Sequence, residues 1–346
     1  MDFPKYSAAL LHLTALFLTL TLTFPFLSLQ LAANLINARP NLLPGGYNSV
    51  GSGAGIAGFL GQAPVPGQNT PYAAATSDDP MTVQQDSQAT SSYGGKLTFP
   101  IALTTYSFFT RKAQFIKISG RTLADIYTGR LTQWSGVQGG LSGTIKPFCR
   151  NSGSGTTQVI TKYLNYYDNS IPVTPAVLTT VAPFSNNPNL KSPPSSNYPS
   201  GSLGMAQAVN DDANAIAYIQ TGIGAFANIA EIYVGNPAGS FLAMTSGKAD
   251  PVAAIPRQLP LPTSSWNGIY LTNANGKATY PIVSFEYTFL RQHYNGAFDG
   301  AIPNLKQFFK FVLSNDGQSL GQQSYFLQVP SSVSAAAKDA IRDITA

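Results

Sequence analysis

The residues best suited to binding chemistry lie in one short run, residues 149–157, which reads CRNSGSGTT. Arg150 supplies a planar, permanently charged group whose N–H donors match a tetrahedral oxyanion. Ser154, Gly155 and Thr156 follow it, just before a helical pattern of apolar residues. The first amides of a helix have no intrahelical partner and carry the positive end of the helix dipole. The run therefore predicts an anion site, with phosphate as the favoured ligand.

Two other interpretations of this run involve different chemistry. Turns rich in glycine and serine are common before helices, and many of them only cap the helix. A nucleotide-binding P-loop needs Gly-Lys-Ser/Thr at the start of the helix, but Thr157 and Gln158 occupy that place in this chain. The sequence thus argues against ATP or GTP hydrolysis, and it leaves an anion site and a plain helix cap as alternatives.

The composition excludes several classes of function. Charged residues make up 10% of the 346 residues, the net charge is +5, and no Lys/Arg cluster appears, so we expect no nucleic-acid partner. The single cysteine, Cys149, allows neither an internal disulfide nor a cysteine-based zinc site. Of two histidines, His12 lies near the N-terminus, and His293 is predicted on an amphipathic helix as a surface or packing residue. We therefore expect no metal and no cofactor.

An almost wholly apolar segment covers residues 8–29, after a short start that contains Lys5. It is typical of a secretory signal or a membrane anchor, although Pro25 and several threonines interrupt it. A third interpretation makes part of it a buried first strand. We assign residues 1–30 to this leader-like segment and expect an extracytoplasmic location: periplasmic, secreted, or at the cell surface with an N-terminal anchor.

Short apolar runs alternate with helical patterns along the rest of the chain, which predicts an α/β fold. The predicted strands cover residues 72–75, 99–109, 215–219 and 278–289. The predicted helices cover residues 119–127, 205–209, 305–313 and 333–344. In such folds ligands bind where strands lead into helix N-termini. Loops of this kind occur at residues 23–25, 51–55 and 76–80, although each alone is more often a turn or a cap.

Taken together, these motifs resemble the periplasmic phosphate-binding proteins of bacterial phosphate ABC importers, and most of all their DING branch. The motifs are Val50–Leu60, Ala75–Asp78, Lys117–Trp134, the arginine run and Gly201–Ile219. Their order and spacing match the family from about residue 46 to residue 344. The resemblance implies a two-lobed, type II periplasmic-binding-protein fold with a ligand cleft between lobes joined by a two-stranded hinge. It places lobe I at about 1–104 plus 284–346, and lobe II at about 105–283.

The resemblance also implies a set of phosphate ligands. Thr23 and Phe24 would give a hydroxyl and an amide, Ser52 would give its hydroxyl and amide, and Asp78 would accept a proton carried by phosphate. The remaining oxygens would be held by residues of the arginine run: Arg150, Ser152, Ser154, Gly155 and Thr156.

This chain departs from the family pattern at several places. Ser152 stands where the family usually has an acid, and Leu20 to Leu22 replace its glycine-rich first loop. The disulfide cysteines of the DING branch are absent as well. Asp78 alone would then tell phosphate from sulfate, because sulfate carries no proton at neutral pH and two acceptors would face each other. We therefore expect this protein to discriminate phosphate from sulfate less strongly than the family pattern implies.

The function implied by the resemblance is capture of inorganic phosphate by hinge closure, without chemistry. Its implied partners are phosphate and an ABC-type membrane permease, with the protein itself a monomer. Two alternatives stay open at this point. One is a phosphatase on the same scaffold, with Ser52 or Thr156 as the hydroxyl. The other is a surface adhesin or interaction protein whose anion site has decayed.

Overall fold

The computed structural model describes residues 51–62, 71–150, 154–173, 197, 199, 201–294, 296–323 and 325–345. The leader-like segment, the first-loop residues Thr23 and Phe24, and Ser152 lie outside these ranges. Within the described ranges, no helix has the length and the apolar character that crossing a bilayer requires.

Helices and strands alternate along most of the described chain. The helices are α1 (Ser52–Phe59), α2 (Val83–Tyr93), α3 (Gly120–Tyr127), α4 (Gly155–Tyr167), α5 (Gly201–Asp211), α6 (Thr221–Phe226), α7 (Ile302–Val312), α8 (Asn315–Gln323) and α9 (Ser331–Arg342). The strands are β1 (Ala74–Ser77), β2 (Lys96–Thr110), β3 (Lys117–Ile118), β4 (Lys146–Phe148), β5 (Ala215–Gln220), β6 (Ala230–Glu231), β7 (Tyr233–Gly235), β8 (Phe241–Leu242) and β9 (Val283–Arg291).

One long strand, β2, organises the larger sheet. The strand order is β1-β9-β2-β5-β4, and β6 also pairs with β2. Strand β2 pairs with β9 through Thr105 and with β5 from Tyr106 onward, so its two halves belong to different groups of strands. All 15 of its residues are buried, which fits a run rich in β-branched and aromatic side chains. This changeover lies next to the predicted lobe boundary, and the residue bounds of the two lobes stay a prediction.

Aromatic side chains hold helix α4 against the second half of β2. Phe108 on β2 packs against Tyr163 on α4 with ring centroids 6.3 Å apart, and against Tyr218 on β5 at 6.4 Å. The Tyr163 hydroxyl donates to the carbonyl of Gly235 at 2.8 Å, so this buried polar group is satisfied. These contacts fix the direction in which the N-terminus of α4 points.

Most predicted elements occur in the structure, with shifted boundaries. The predicted strand at 278–289 begins only at Val283, and the predicted helix at 205–209 extends over Gly201–Asp211. The predicted helix around His293 is wrong. His293 instead follows β9 and forms an isolated bridge with Thr345, and its Nδ1 lies 2.7 Å from the Thr345 hydroxyl. The sequence did not separate the two cases, because an exposed polar residue just after a strand and one on the outer face of a helix give the same local pattern of polar and apolar residues.

Candidate anion-binding site

The N-terminus of α4 is built by the serine that precedes it. Ser154 has extended backbone angles, with φ −152° and ψ 123°, and its hydroxyl accepts from the amide of Thr157 at 3.4 Å. The Thr157 hydroxyl in turn lies 2.8 Å from that of Tyr218. The helix-cap interpretation is therefore realised here. It uses the amide of Thr157 and leaves those of Gly155 and Thr156 without intrahelical partners, so the cap and an anion site are compatible.

Arg150 lies just after β4, beside this helix end. Its backbone amide donates to the Tyr218 hydroxyl at 3.1 Å, and its Nη1 donates to the Ser202 hydroxyl at 3.4 Å. Its Nε is buried and has no hydrogen-bond partner among the described residues. Burial lowers the pKa of the Arg150 guanidinium, and the charge of Asp78 is one of the influences that oppose this.

The positive charge of Arg150 is poorly compensated. Among the described residues, every ion pair uses a different cation. Withdrawing a charge from water is unfavourable unless it is paired and hydrogen-bonded. An anion placed against this guanidinium would supply both the missing charge and the missing acceptor.

Two further residues come from the first part of the described chain. Ser52 is the first residue of α1 and is 8% exposed, and Gly51 before it has φ 83°. Asp78 follows β1, where the Ser284 hydroxyl of β9 donates to its backbone carbonyl at 2.5 Å. The Thr156 hydroxyl donates to Asp78 Oδ2 at 3.3 Å. The start of α1 and the carboxylate of Asp78 thus both lie against the start of α4.

Gly155 shows how closely these parts approach each other. A Cβ atom built on Gly155 would lie 2.6 Å from Ser52 Oγ, 2.8 Å from Asp78 Cβ and 3.1 Å from Asp78 Oδ2. Real Cβ contacts are not that short, so only glycine lets the two helix starts come together. The structure therefore brings together the predicted ligands Ser52, Asp78, Gly155 and Thr156. Arg150 lies beside the same helix start, since its amide and the Thr157 hydroxyl both contact the Tyr218 hydroxyl.

Sequence reasoning missed a second acid beside Asp78. Glu286 lies in the middle of β9 and is 7% exposed. Burial raises the pKa of the Glu286 carboxyl well above its usual range, and the charge of Asp78 raises it further, while a hydrogen bond with Thr76 lowers it. The signal was present in the sequence, because a glutamate as the one charged residue in the largely apolar strand run VSFEYTFL is unusual without a partner.

Tyr106 is the other residue that the sequence did not indicate. It lies on β2, and its hydroxyl is buried without a hydrogen-bond partner among the described residues. Burial raises the pKa of Tyr106 well above its usual value, and the charges of Asp78 and Glu286 raise it further. Its hydroxyl is close enough to the Asp78 carboxyl to interact with it, so Tyr106 adds a third polar group beside the two acids.

A second contact between distant parts of the chain flanks the site. Asp79 forms an ion pair with Lys162 of α4, and both side chains are largely buried. The Lys162 ammonium also lies 3.6 Å from the ring centroid of Tyr270. Burial raises the pKa of Asp79 and lowers that of Lys162, and the attraction between them opposes both shifts. This pair ties the loop after β1 to the body of α4.

A sequence model of the PBP superfamily domain matches residues 26–316. The chain belongs to this superfamily. The resemblance found from the sequence motifs is thereby confirmed at family level, together with a two-lobed fold of this class.

Individual relatives of this PBP-superfamily protein are distant but cover most of it. A curated phosphate-binding protein of an unknown prokaryotic organism is 26% identical over 86% of this chain and 89% of its own. Alkaline phosphatase L of Pseudomonas aeruginosa strain UCBPP-PA14 is 25% identical over 75% of this chain and 74% of its own.

Solved structures give the same picture of the fold. A high-affinity periplasmic phosphate-binding protein, PfluDING, bound with phosphate, has a TM-score of 0.69 at 22% identity, over 90% of this chain and 91% of its own. A human phosphate-binding apolipoprotein has a TM-score of 0.67 at 25% identity, over 90% of this chain and 92% of its own.

Three predicted site residues lie outside the described residues. Thr23, Phe24 and Ser152 are not among the described residues, so their predicted roles stay predictions. Across the described part of the chain, no three His, Cys, Asp or Glu side chains are grouped so that they could hold a metal ion.

Proposed function

We propose that this protein captures inorganic phosphate between its two lobes and releases it unchanged. The observation that carries the proposal is the half-buried Arg150 side chain beside the start of α4: among the described residues, its buried Nε has no hydrogen-bond partner and its guanidinium has no ion-pair partner. Oriented donors of this kind stabilise an oxyanion strongly where water is excluded. The relatives named for phosphate binding support the choice of anion.

The proposed site has one acceptor among many donors. Arg150, the hydroxyls of Ser52 and Thr156, and the helix amides would donate to phosphate oxygens. Asp78 would accept the proton that phosphate still carries at neutral pH. Sulfate has no such proton, so its oxygen and the carboxylate would repel each other.

The proposed location is extracytoplasmic, and the proposed partner is an ABC-type membrane permease. Both are supported by structural neighbours described as a periplasmic phosphate-binding protein and as a phosphate ABC transporter substrate-binding protein. Hinge closure on the anion would be the signal that such a permease recognises. The protein would act as a monomer.

Calorimetric titration of ligand-stripped protein with phosphate and then with sulfate at pH 7 tests this function. We expect micromolar or tighter phosphate binding and weaker sulfate binding. If neither anion binds to a folded sample, the capture function is wrong. The interaction-protein alternative, with a decayed anion site, would then take its place.

A phosphatase is the second candidate function, because one curated relative carries the name alkaline phosphatase L. The Ser52 hydroxyl at the start of α1 is the available nucleophile, although no described histidine lies beside it to activate it. Turnover of an aryl phosphate by the parent protein, lost in Ser52→Ala, would favour this function over capture alone.

A further inference from the structure

A pair of carboxyls faces the candidate site from neighbouring strands. Strands β1 and β9 are antiparallel, and their last registered pair is Ser77 with Tyr287. Continuing that register by one residue sets Asp78 opposite Glu286. Directly opposed residues on antiparallel strands hold their side chains close together on one face of the sheet. The hydroxyl of Ser284, two residues along β9, fixes the backbone of Asp78 in this place.

This pair cannot stay doubly ionised without a large penalty. Glu286 is buried, and among the described residues neither acid has a cation bonded to it in an ion pair. Two adjacent carboxylates in a site of low dielectric repel each other strongly, and the usual result is that they share one proton. Ala102, opposite Glu286 on β2, offers no polar partner. Thr156 donates a hydrogen bond to Asp78, and the Arg150 charge interacts with Asp78, so the single negative charge of the pair is best balanced on the Asp78 side.

We propose that Glu286 is a neutral carboxylic acid that donates its proton to Asp78 and so holds the Asp78 carboxylate in position to accept the proton of phosphate. This inference rests on the proposed function and assigns a new residue to its specificity. Glu286 is a positioning residue, because it acts on the ligand through Asp78. In this role it is the second acid of the site, contributed by β9.

The charges around the pair set the direction of the pH dependence. Asp78 faces Glu286 from the end of β1, Tyr106 faces it from β2, and Arg150 approaches Asp78 from the end of β4. Asp79, next in the chain, is already paired with Lys162. When the pH rises far enough to ionise Glu286, a second negative charge appears beside Asp78. Phosphate binding should therefore weaken on the alkaline side.

The test compares phosphate binding by calorimetry from pH 6 to alkaline pH in the parent, Glu286→Ala and Glu286→Gln. Glu286→Ala should weaken binding at pH 7 by about tenfold or more, because a hydrogen bond to a charged group is lost. Glu286→Gln regains a donor and should recover most of that loss. Because glutamine does not ionise, this variant should also lack the alkaline weakening seen in the parent.

The matched control is Glu231→Gln. Glu231 is also a buried glutamate, but it accepts from the hydroxyls of Ser107 and Thr245 at 2.6 Å, and neither of these residues belongs to the candidate site. This variant should keep the pH profile of the parent. The titration of phosphate itself is common to all the proteins and cancels in the comparison.

Infrared spectroscopy of the ligand-free protein gives a second readout. The parent should show the band of a protonated carboxyl at neutral pH, and Glu286→Gln should lack it. If the parent binds phosphate but Glu286→Gln keeps the alkaline weakening, or if the band is the same in both, the role of Glu286 is wrong and phosphate capture stands. If the folded parent binds no phosphate at any pH, both proposals fail.

Discussion

At Arg150 the environment of a single charge decides how strongly the site attracts an anion. Its guanidinium reaches only the Ser202 hydroxyl among the described residues, and its Nε has no acceptor there. A cation paired with a neighbouring carboxylate would gain little from a ligand, because the ligand would have to replace that carboxylate. Here the anion would supply the first full counter-charge.

We therefore predict that Arg150→Ala weakens phosphate binding by more than tenfold, since it removes charge-assisted hydrogen bonds worth about 1.5–3 kcal/mol each. Calorimetric titration at pH 7 measures the change. Arg257→Ala is the control, because Arg257 is exposed and far along the chain in a loop. Equal affinities in the two variants would contradict the assignment of Arg150.

At Asp78 the decisive property is that a carboxylate only accepts hydrogen bonds. Asp78→Asn supplies an amide that also donates, so the repulsion of an unprotonated oxyanion disappears. We predict that phosphate affinity falls roughly tenfold or more and that the preference for phosphate over sulfate narrows. Competition titrations with both anions at pH 7 test this. An unchanged preference would show that Asp78 does not set the selectivity.

At the level of elements, the site depends on how closely the start of α4 approaches the start of α1. Gly155 permits this approach, because any Cβ there would meet Ser52 Oγ at 2.6 Å. In a free helix, alanine in place of glycine would be favourable. The glycine is therefore explained by the neighbouring elements and not by the helix that contains it.

We predict that Gly155→Ala weakens phosphate binding at least tenfold while the protein stays folded, because the added methyl group separates the two helix starts. Affinity by calorimetry and folding by circular dichroism measure the two effects. Gly139→Ala is the matched control, since a Cβ at Gly139 would meet no atom within 4 Å. Wild-type affinity in Gly155→Ala would show that phosphate binding does not depend on the close approach of these two helix starts.

The ion pair between Asp79 and Lys162 links the loop after β1 to α4. Removing one partner of a buried pair leaves the other charge uncompensated, which typically destabilises a protein by about 3–5 kcal/mol. Lys162→Met should lower the free energy of unfolding by an amount of that order, and the double variant Asp79→Asn/Lys162→Met should recover much of it. Urea unfolding of the parent and variants closes this double-mutant cycle. Additive effects would show that the two side chains do not interact.

For the whole molecule, the shared strand β2 joins two groups of strands through one continuous backbone. Strand β9 crosses the same region, since Val283 pairs with Thr105 at the changeover. Two adjacent strands that run between lobes allow bending by small changes in backbone angles. Contacts such as Thr156 with Asp78 would then form on closure and break on opening.

We predict that phosphate stabilises the whole protein and makes it more compact. At about 1,000 times Kd, a ligand that binds only the folded state adds about 4 kcal/mol to the free energy of unfolding. Calorimetric melting should show a rise in Tm on the order of 5–10 °C, and X-ray scattering should show a smaller radius of gyration. Sulfate at the same concentration should do less. A rise in Tm without compaction would argue against hinge closure.

The sequence by itself determined the local features of this protein. The Ser154 cap, the helix that follows it, the apolar strand around residues 99–109 and the alternation of elements all follow from interactions between residues close in the chain. The arginine run indicated an anion for the same reason, because charge, small residues and a helix start occur within nine positions. The prediction failed at His293, where a strand end and a helix face share one polar pattern.

Only the tertiary structure decided which distant residues meet. Glu286 comes opposite Asp78 because β9 pairs with β1 in one register, and a shift of one residue would turn its side chain to the other face. The unpaired state of Arg150 and the ion pair between Asp79 and Lys162 likewise depend on where separate elements pack. Register and packing are set by the summed burial of many side chains, so no local run of sequence contains them.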